Sequence, residues 1–185
     1  FEDWYQGIEI ERGDWGQFES RIRVGTCRLL DLLQESDTRA TFFILGAAAE
    51  GAPDLVREIA HRGHEIATHG YGHEFVYDLD PEGFRADLQR SLEVLAGIVS
   101  DPVYGYRAPY FSITRDSLWA FEVLLECGIR YDASVFPVHN HRYGISDAPR
   151  FVHEVRPGLL EVPPSTWRVA GRNLPVAGGA YFRLF

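Results

Sequence analysis

The hydrophobic positions of this chain follow a helical period in some segments and form short continuous runs in others. One amphipathic helix is predicted from residues that recur three or four positions apart, namely Ile22, Thr26, Leu29, Leu30 and Leu33. The apolar run at residues 40–45 is typical of a strand that is buried on both faces. The first part of the chain therefore predicts a helix followed by an interior strand.

Later segments repeat this alternation, and capping residues mark where the helices begin and end. Pro53 suits the first turn of a helix, and Gly63 suits the position after its last turn. Asp80 and Pro81 predict the start of a further helix, and Thr114 predicts the start of another. The helix after Asp80 carries an apolar face of Phe84, Leu88, Leu92, Leu95 and Val99. Strands are predicted between the helices at residues 65–68, 104–107, 129–132 and 159–162.

The order of these elements predicts an α/β fold. Strands that alternate with helices over short connections form a parallel sheet. Roughly five or six such units favour a distorted or incomplete (β/α) barrel over an open doubly wound sheet. No Gly-x-Gly-x-x-Gly motif follows a strand, which weakens a dinucleotide-binding interpretation. Without an internal repeat or a linker, residues 1–185 are expected to form a single catalytic domain.

Composition removes several classes of function. The formal net charge of -9 argues against binding to a nucleic-acid backbone, which requires clustered cations. All 18 basic side chains are arginine, so no lysine is present for Schiff-base or phosphate-loop chemistry. No apolar stretch is long enough for a transmembrane helix. Because the chain contains no Met and opens on Phe-Glu-Asp-Trp, we expect it to be truncated at both ends.

The segment Thr68-His-Gly-Tyr-Gly-His73 places two histidines four residues apart, directly after a predicted strand. Each glycine in this segment costs a helix about 1 kcal/mol, so a loop is the better interpretation. Two imidazoles at the end of a strand are suited to bind a divalent metal. The spacing alone does not distinguish this interpretation from the alternative, in which His69 and His73 are ordinary surface or core histidines.

Other chemically versatile side chains are predicted at the same edge of the sheet. In (β/α) barrels the catalytic groups lie at the carboxyl ends of the strands. The residues expected there are Glu2, Asp3, His69, His73, Arg107 and Asp132. Their shared position predicts one functional site.

Four segments in this order resemble the motifs of the polysaccharide deacetylases, the NodB-homology domain of carbohydrate esterase family four. Residues 41–45 resemble the second barrel strand of that family, and residues 69–73 its metal-binding histidine pair. Arg107-Ala-Pro-Tyr110 and Tyr131-Asp-Ala-Ser134 resemble its third and fourth motifs. The tail from Glu161 to Gly179 is similar to a subgroup that is tied to bacterial exopolysaccharide loci.

The resemblance implies a distorted barrel of the glycoside hydrolase and deacetylase type. It also implies a bound divalent metal, for which zinc is the first candidate. The implied ligands are His69, His73 and one acidic residue from the first strand, either Glu2 or Asp3. The implied reaction removes N-acetyl groups from an amino-sugar polysaccharide or oligosaccharide by means of metal-activated water. The compartment stays open between the bacterial cytoplasm and the cell envelope.

The same resemblance implies roles for three further residues. Arg107 would pair with the catalytic base, Asp132 would orient Arg107, and the backbone N–H of Tyr110 would face the developing oxyanion. The base is expected at the position before Phe1 and the general acid beyond Phe185. The alternatives are a purely structural Arg107–Asp132 pair, a groove-lining Tyr110, and a solvated chain end that contains the two acids.

Three other functions are compatible with parts of the pattern. The chain could be a non-catalytic glycan-binding module in the deacetylase fold, or a related hydrolase of cyclic amides or ureides. An iron oxygenase with two histidines and one carboxylate needs the same ligands, but such sites typically lie on a jelly roll. The alternation of strands and helices argues against this last function.

Overall fold

A computed structural model describes residues 1–8 and 10–176 of the chain. Its contacts divide the chain into two compact units. The first unit contains Phe1–Glu74 and Ala86–Val103, and the second contains Phe75–Arg85 and the described residues from Tyr104 onward. Whether residues 1–185 act as a single domain stays a prediction.

The first unit is built around two parallel strands. Strand β1 (Thr41–Ile44) pairs with β2 (Glu65–Thr68) in continuous register, so that both strands end at the same edge. The helices α1 (Ile22–Glu35), α2 (Gly46–Gly51) and α3 (Pro53–His61) flank these strands in the chain, after a 3-10 turn at Arg12–Gln17. The predicted α1, β1, α3 and β2 are thereby confirmed. Helix α2 was not predicted, because it follows β1 without a polar break in the sequence.

The helix boundaries follow from local chemistry. Pro53 occupies the first turn of α3, and Gly63 adopts a φ of +81° after its end, where a side chain would be strained. Helix α4 (Pro81–Ala96) starts as predicted, since the carboxylate of Asp80 accepts the backbone N–H of Gly83 at 2.7 Å.

The apolar core of the first unit joins residues from α1, β1, α3 and α4. Leu30, Ile44, Ile59 and Leu95 are fully buried and belong to one cluster of contacting side chains. Full burial of an aliphatic side chain of this size contributes roughly 1.5–3 kcal/mol. The core therefore buries the face of β1 that carries Phe42 and Ile44. Thr41 is exposed and Phe43 is half-buried, so the strand is not fully buried on both faces as its continuous apolar pattern predicted.

The second unit contains a mixed sheet and a separate hairpin. Strands β3 (Gly105–Tyr106), β4 (Tyr131–Asp132) and β6 (Leu159–Glu161) are successive parallel neighbours, and β5 (His153–Arg156) pairs antiparallel with β6. The antiparallel hairpin of β7 (Thr166–Val169) and β8 (Arg172–Pro175) follows. Strands β5, β7 and β8 were not predicted, because none of their residues is buried and they lack a periodic apolar pattern.

The helix predicted after Thr114 is divided in two. A 3-10 turn at Arg115–Ser117 begins at Thr114, whose backbone N–H donates to the Ser117 hydroxyl at 2.9 Å. Helix α5 (Ala120–Glu126) then buries Phe121 and Leu124, and Gly128 follows with a φ of +84°. Further 3-10 turns lie at Val76–Asp78 and Pro109–Phe111. Among the described residues, no helix combines the length and the apolarity needed to cross a membrane.

Truncation of Leu30 should test the core of the first unit. We expect Leu30→Ala to lower the free energy of unfolding by about 2–5 kcal/mol, because it leaves a cavity beside β1. Leu32 of the same helix is 60% exposed and provides the control. Leu32→Ala should change stability by less than about 0.5 kcal/mol in the same chemical denaturation experiment. Equal losses for both variants would contradict the described core.

Candidate metal centre

Three side chains of the first unit converge at the end of strand β2. The ligand-type atoms of Glu2, His69 and His73 all lie within 4.8 Å of one another. The Oε2 atom of Glu2 is 2.7 Å from Nε2 of His73 and 3.7 Å from Nε2 of His69. Across residues 1–8 and 10–176, no other group of three His, Cys, Asp or Glu side chains is gathered in this way.

The histidine pair is displayed by a loop that continues the β1–β2 ladder. The backbone N–H of His69 donates to the carbonyl of Ile44 at 2.8 Å, one residue beyond the paired strands. Gly70 then takes a φ of +74°, and His73 itself has a φ of +60°. Two left-handed positions within four residues bend the backbone back on itself, so both imidazoles face Glu2.

Asp87 of helix α4 holds this loop, and sequence reasoning missed it. Its two carboxylate oxygens accept the backbone N–H groups of Tyr71 and Gly72, each at 2.8 Å. A Cβ atom at Gly70 would lie 2.7 Å from Oδ2 of Asp87, so the loop requires glycine there. No signal in the sequence distinguishes Asp87 from the other polar residues of an amphipathic helix. Only the packing of α4 against the loop reveals its role.

Tyr71 anchors the centre of the loop. Its side chain is 4% exposed, and its hydroxyl donates to the carboxylate of Glu50 at 2.8 Å. The guanidinium of Arg90 lies 3.7 Å from the centre of its ring. Burial, followed by the hydrogen bond to Glu50, raises the pKa of the Tyr71 phenol. The residue between the two histidines therefore serves to pack the loop.

The electrostatics of the cluster suit a cation. Burial by itself would raise the pKa of Glu2, but contact with His73 and the charge of His69 outweigh it and lower the pKa to about 2. Oε2 of Glu2 is buried and finds no well-aligned hydrogen bond among the described residues. Two imidazoles and one ionised carboxylate are a ligand set that zinc and related divalent ions accept. The residues present therefore fit a divalent metal.

Asp3, the other acid predicted as a ligand, has different contacts. Its carboxylate accepts the backbone N–H of Arg21 at 3.0 and 3.1 Å and that of Trp4 at 3.0 Å. Asp3 is 3% exposed and stands outside the cluster of Glu2 with the histidines. Its observed contacts secure the start of helix α1.

The predicted residues Arg107 and Asp132 belong to the second unit and lie in mutual electrostatic contact. Nε of Arg107 donates to the carbonyl of Ala133 at 3.2 Å. Burial lowers the pKa of Arg107, and the negative charge of Asp132 acts in the opposite direction. Asp132 is fully buried, and it accepts a hydrogen bond from the Ser134 hydroxyl.

Glu161 is a further buried acid beside Asp132, and sequence reasoning assigned it no role. Asp132 and Glu161 are partners in the register of β4 and β6, and both are 0% exposed. Burial first, and then the proximity of Asp132, raise the pKa of Glu161 far above its usual range. Burial likewise raises the pKa of Asp132. The signal in the sequence was the acid inside the apolar strand pattern at residues 159–162.

Tyr110 lies in the 3-10 turn at Pro109–Phe111 with strained backbone geometry. Tyr110 and Phe111 have φ values of +55° and +54°, which cost non-glycine residues roughly 1–3 kcal/mol each. The Tyr110 ring stacks on Phe75 with 4.3 Å between ring centres. The turn that was predicted to present a catalytic N–H therefore has a defined and unusual conformation.

Comparison with known families assigns the chain. A family model described as polysaccharide deacetylase matches residues 15–131, more than half of the sequence, so the chain belongs to the polysaccharide deacetylase family. This segment contains His69, His73 and Arg107, whereas Glu2 precedes it and Asp132 follows it. A second model, a domain of unknown function named DUF3473, matches residues 133–185. The predicted exopolysaccharide subgroup stays a prediction, and its tail motif extends beyond the described residues.

Curated relatives include deacetylases of several glycans. The chain is 34% identical over 98 residues to a peptidoglycan-N-acetylglucosamine deacetylase of Bacillus cereus, covering 52% of this chain and 36% of the relative. It is 30% identical over 114 residues to a chitooligosaccharide deacetylase of Rhizobium leguminosarum bv. trifolii, covering 62% of this chain and 49% of the relative. The chain thus spans at most half of the length of these two proteins.

Solved structures show the same fold. A protein from Mycobacterium smegmatis that is assigned as a polysaccharide deacetylase superposes with a TM-score of 0.63 and 35% identity, over 77% of this chain and 46% of that chain. The PuuE allantoinase superposes with a TM-score of 0.61 at 21% identity, over 76% of this chain and 43% of that chain, which shows the fold alone. The predicted fold class, an α/β fold of the distorted (β/α) barrel type, is confirmed.

Removal of the Asp87 carboxylate should loosen the histidine loop. We expect Asp87→Ala to weaken zinc binding by about 10–100-fold, because Tyr71 and Gly72 lose the acceptor of their N–H groups. Asp87→Asn keeps one acceptor oxygen and should give an intermediate affinity. Asp101→Ala, at an exposed acid, is the control and should bind zinc like the wild type. Calorimetric titration measures the zinc affinity of the wild type and the three variants. An unchanged affinity in Asp87→Ala would show that the loop keeps its conformation without the Asp87 carboxylate.

Proposed function

We propose that this protein is a metal-dependent hydrolase that removes N-acetyl groups from an amino-sugar polysaccharide or oligosaccharide. The observation that carries the proposal is the convergence of Glu2, His69 and His73 in a member of the polysaccharide deacetylase family. The named relatives act on peptidoglycan N-acetylglucosamine and on chitooligosaccharides, which supports an N-acetylated glycan as the substrate class.

The proposed metal ligands are Glu2, His69 and His73, with zinc as the first candidate. Three protein ligands leave coordination positions open, as in catalytic rather than structural zinc sites. When bound, such an ion supplies Lewis-acid chemistry and activates water near neutral pH. Glu2 is preferred to Asp3 because Asp3 already accepts backbone N–H groups at the start of α1. The carboxylate of Glu2 is ionised, so it can bind a cation without first losing a proton.

The roles of the remaining predicted residues belong to the same proposal. The backbone N–H of Tyr110 would donate to the oxygen on which negative charge develops, and its strained turn would fix the direction of that donor. Arg107 would pair with the catalytic base, and Asp132 would hold Arg107 through electrostatic attraction.

A non-catalytic glycan-binding module remains the competing proposal, and activity decides between the two. Both would bind an N-acetylated oligosaccharide, but only the hydrolase would release acetate. A hydrolase of cyclic amides or ureides would open the ring to a single amino or ureido carboxylic acid and would release no acetate. Product analysis therefore separates the three functions.

Zinc titration of two variants should identify the acidic ligand. We expect Glu2→Ala to lose more zinc affinity than the ~10–100-fold typical of groups outside the ligand shell. Asp3→Asn should retain the affinity of the wild type, although its thermal stability should fall because α1 loses an acceptor. The reverse order of affinities would assign the ligand to Asp3.

Acetate release tests the activity itself. The zinc-loaded full-length protein should release acetate from chitooligosaccharides or peptidoglycan fragments. His69→Ala and His73→Ala should each reduce the rate by at least about a hundredfold, because the site loses one ligand. His61→Ala, at an exposed histidine on α3, is the matched control and should retain activity. If the wild type and the His69→Ala variant release acetate equally slowly, the proposed hydrolase function is wrong.

A further inference from the structure

We propose that Glu161 is a neutral carboxylic acid that donates a hydrogen bond to ionised Asp132, and that it is thereby a positioning residue for the segment from Arg107 to Tyr110. The catalytic part of this inference rests on the proposed deacetylase function. The part that concerns the proton does not.

The two acids are buried together without enough positive charge for both to ionise. Asp132 and Glu161 are 0% exposed register partners on adjacent parallel strands, so their side chains lie on the same face of the sheet. Arg107 is the cation whose charge acts on both of them. Two buried carboxylates beside one guanidinium would leave an uncompensated charge, which is strongly unfavourable. One of the acids must therefore keep its proton.

The hydrogen-bond donors around each acid identify the one that is ionised. Asp132 accepts from the hydroxyl of Ser134 through Oδ1 and from the backbone N–H of Ser134 through Oδ2 at 3.3 Å. Glu161 accepts only the backbone N–H of Val135 at Oε1, at 3.0 Å, among the described residues. Oε2 of Glu161 is buried and has no donor in the described part of the chain. A proton on Oε2 satisfies this atom and supplies the hydrogen bond between the two side chains.

A chain of hydrogen bonds connects Glu161 to the turn that contains Tyr110. Because Asp132 is ionised, the Ser134 hydroxyl donates to it and keeps its own lone pairs available. The Ser134 oxygen then accepts the backbone N–H of Ala108 at 2.7 Å. Ala108 directly precedes the turn at Pro109–Phe111, and Nε of Arg107 donates to the carbonyl of Ala133. Glu161 thus acts through Asp132 and Ser134 on the backbone that carries Arg107 and Tyr110.

The surrounding titratable groups are consistent with this assignment. Tyr106 of β3 and His153 of β5 are register partners of Asp132 and Glu161, and Tyr131 faces Arg107. Nδ1 of His153 lies 3.0 Å from the carbonyl of Phe151. Burial, and then the charge of Asp132, raise the pKa of Glu161 to about 12.

Infrared spectroscopy tests the protonation state directly and needs no substrate. Protein labelled with ¹³C at the glutamate carboxyl groups should show the carbonyl band of a protonated acid at neutral pH. The band should disappear in Glu161→Gln and persist in Glu93→Gln, which changes an exposed glutamate of α4. A wild-type spectrum without this band at neutral pH would overturn the neutral acid, whether or not any variant folds.

The pH dependence of stability provides a second test. An unfolded glutamate has a pKa of about 4.3, so above this pH folded Glu161 holds a proton that the unfolded chain has lost. The stability due to Glu161 is therefore complete below about pH 4.3 and declines as the pH rises toward the folded pKa. Gln does not titrate, so the unfolding midpoint of Glu161→Gln should rise relative to wild type between about pH 5.5 and pH 8.5. If the difference in unfolding midpoint between Glu161→Gln and wild type does not change with pH, the proposal is contradicted. A Glu161→Gln protein that fails to fold would also contradict it.

Kinetics test the positioning role. Glu161→Gln keeps a donor and an acceptor, so its kcat should remain within about threefold of wild type. Glu161→Ala should lower kcat by at least about tenfold with little change in KM or zinc content, because the turn at Tyr110 shifts. Equal kcat values in Glu161→Ala and wild type would overturn the role. If the wild type releases no acetate, the deacetylase proposal fails, while the infrared and stability results still decide the state of Glu161.

Discussion

The candidate metal centre depends on how Asp87 holds the backbone between the two histidines. A four-residue separation in an irregular loop does not by itself bring two imidazoles together. The bidentate hydrogen bonds from Tyr71 and Gly72 to one carboxylate, with glycine at residue 70, bend the loop so that both rings face Glu2. The side chain of Tyr71 secures the same loop through Glu50 and Arg90. The site is therefore a property of this backbone turn as much as of its ligands.

Two carboxylates of this protein have pKa values that are shifted in opposite directions. Glu2 is ionised because two imidazoles lie against it, and its pKa falls despite burial. Glu161 lies next to another acid, so burial and repulsion act together and its pKa rises. The same chemical group thus favours its ionised form at the candidate metal centre and its protonated form beside Asp132. The neighbouring charges, acting together with burial, decide which state is stable.

The match to the polysaccharide deacetylase family covers residues 15–131. The match to that family ends before Asp132, and the DUF3473 match contains Asp132's partner Glu161. Asp132 lies at the junction of the two matched segments, and its register partner is a buried acid of the second segment. The observed register of Asp132 with Glu161 is the physical link.

Periodic and capped segments were predictable from the sequence, whereas exposed strands were not. The apolar faces of α1, α3 and α4 and the runs at β1 and β2 express burial on a defined side, so their patterns predict them. Strands β5, β7 and β8 contain no buried residue, and a short 3-10 turn interrupts the helix after Thr114. Their conformations depend on pairing with distant strands or on local side-chain bonds. Periodicity does not encode those interactions.

By itself, the sequence determined the alternation of strands and helices, the histidine pair and the candidate acids, because these follow from residue type and spacing. Only the tertiary structure decided that Glu2 rather than Asp3 lies beside the histidines, since adjacent residues on an irregular segment face different surroundings. It alone revealed Asp87 and Glu161. Their partners are 15 to 29 residues away in the chain, and such contacts form only when the elements pack.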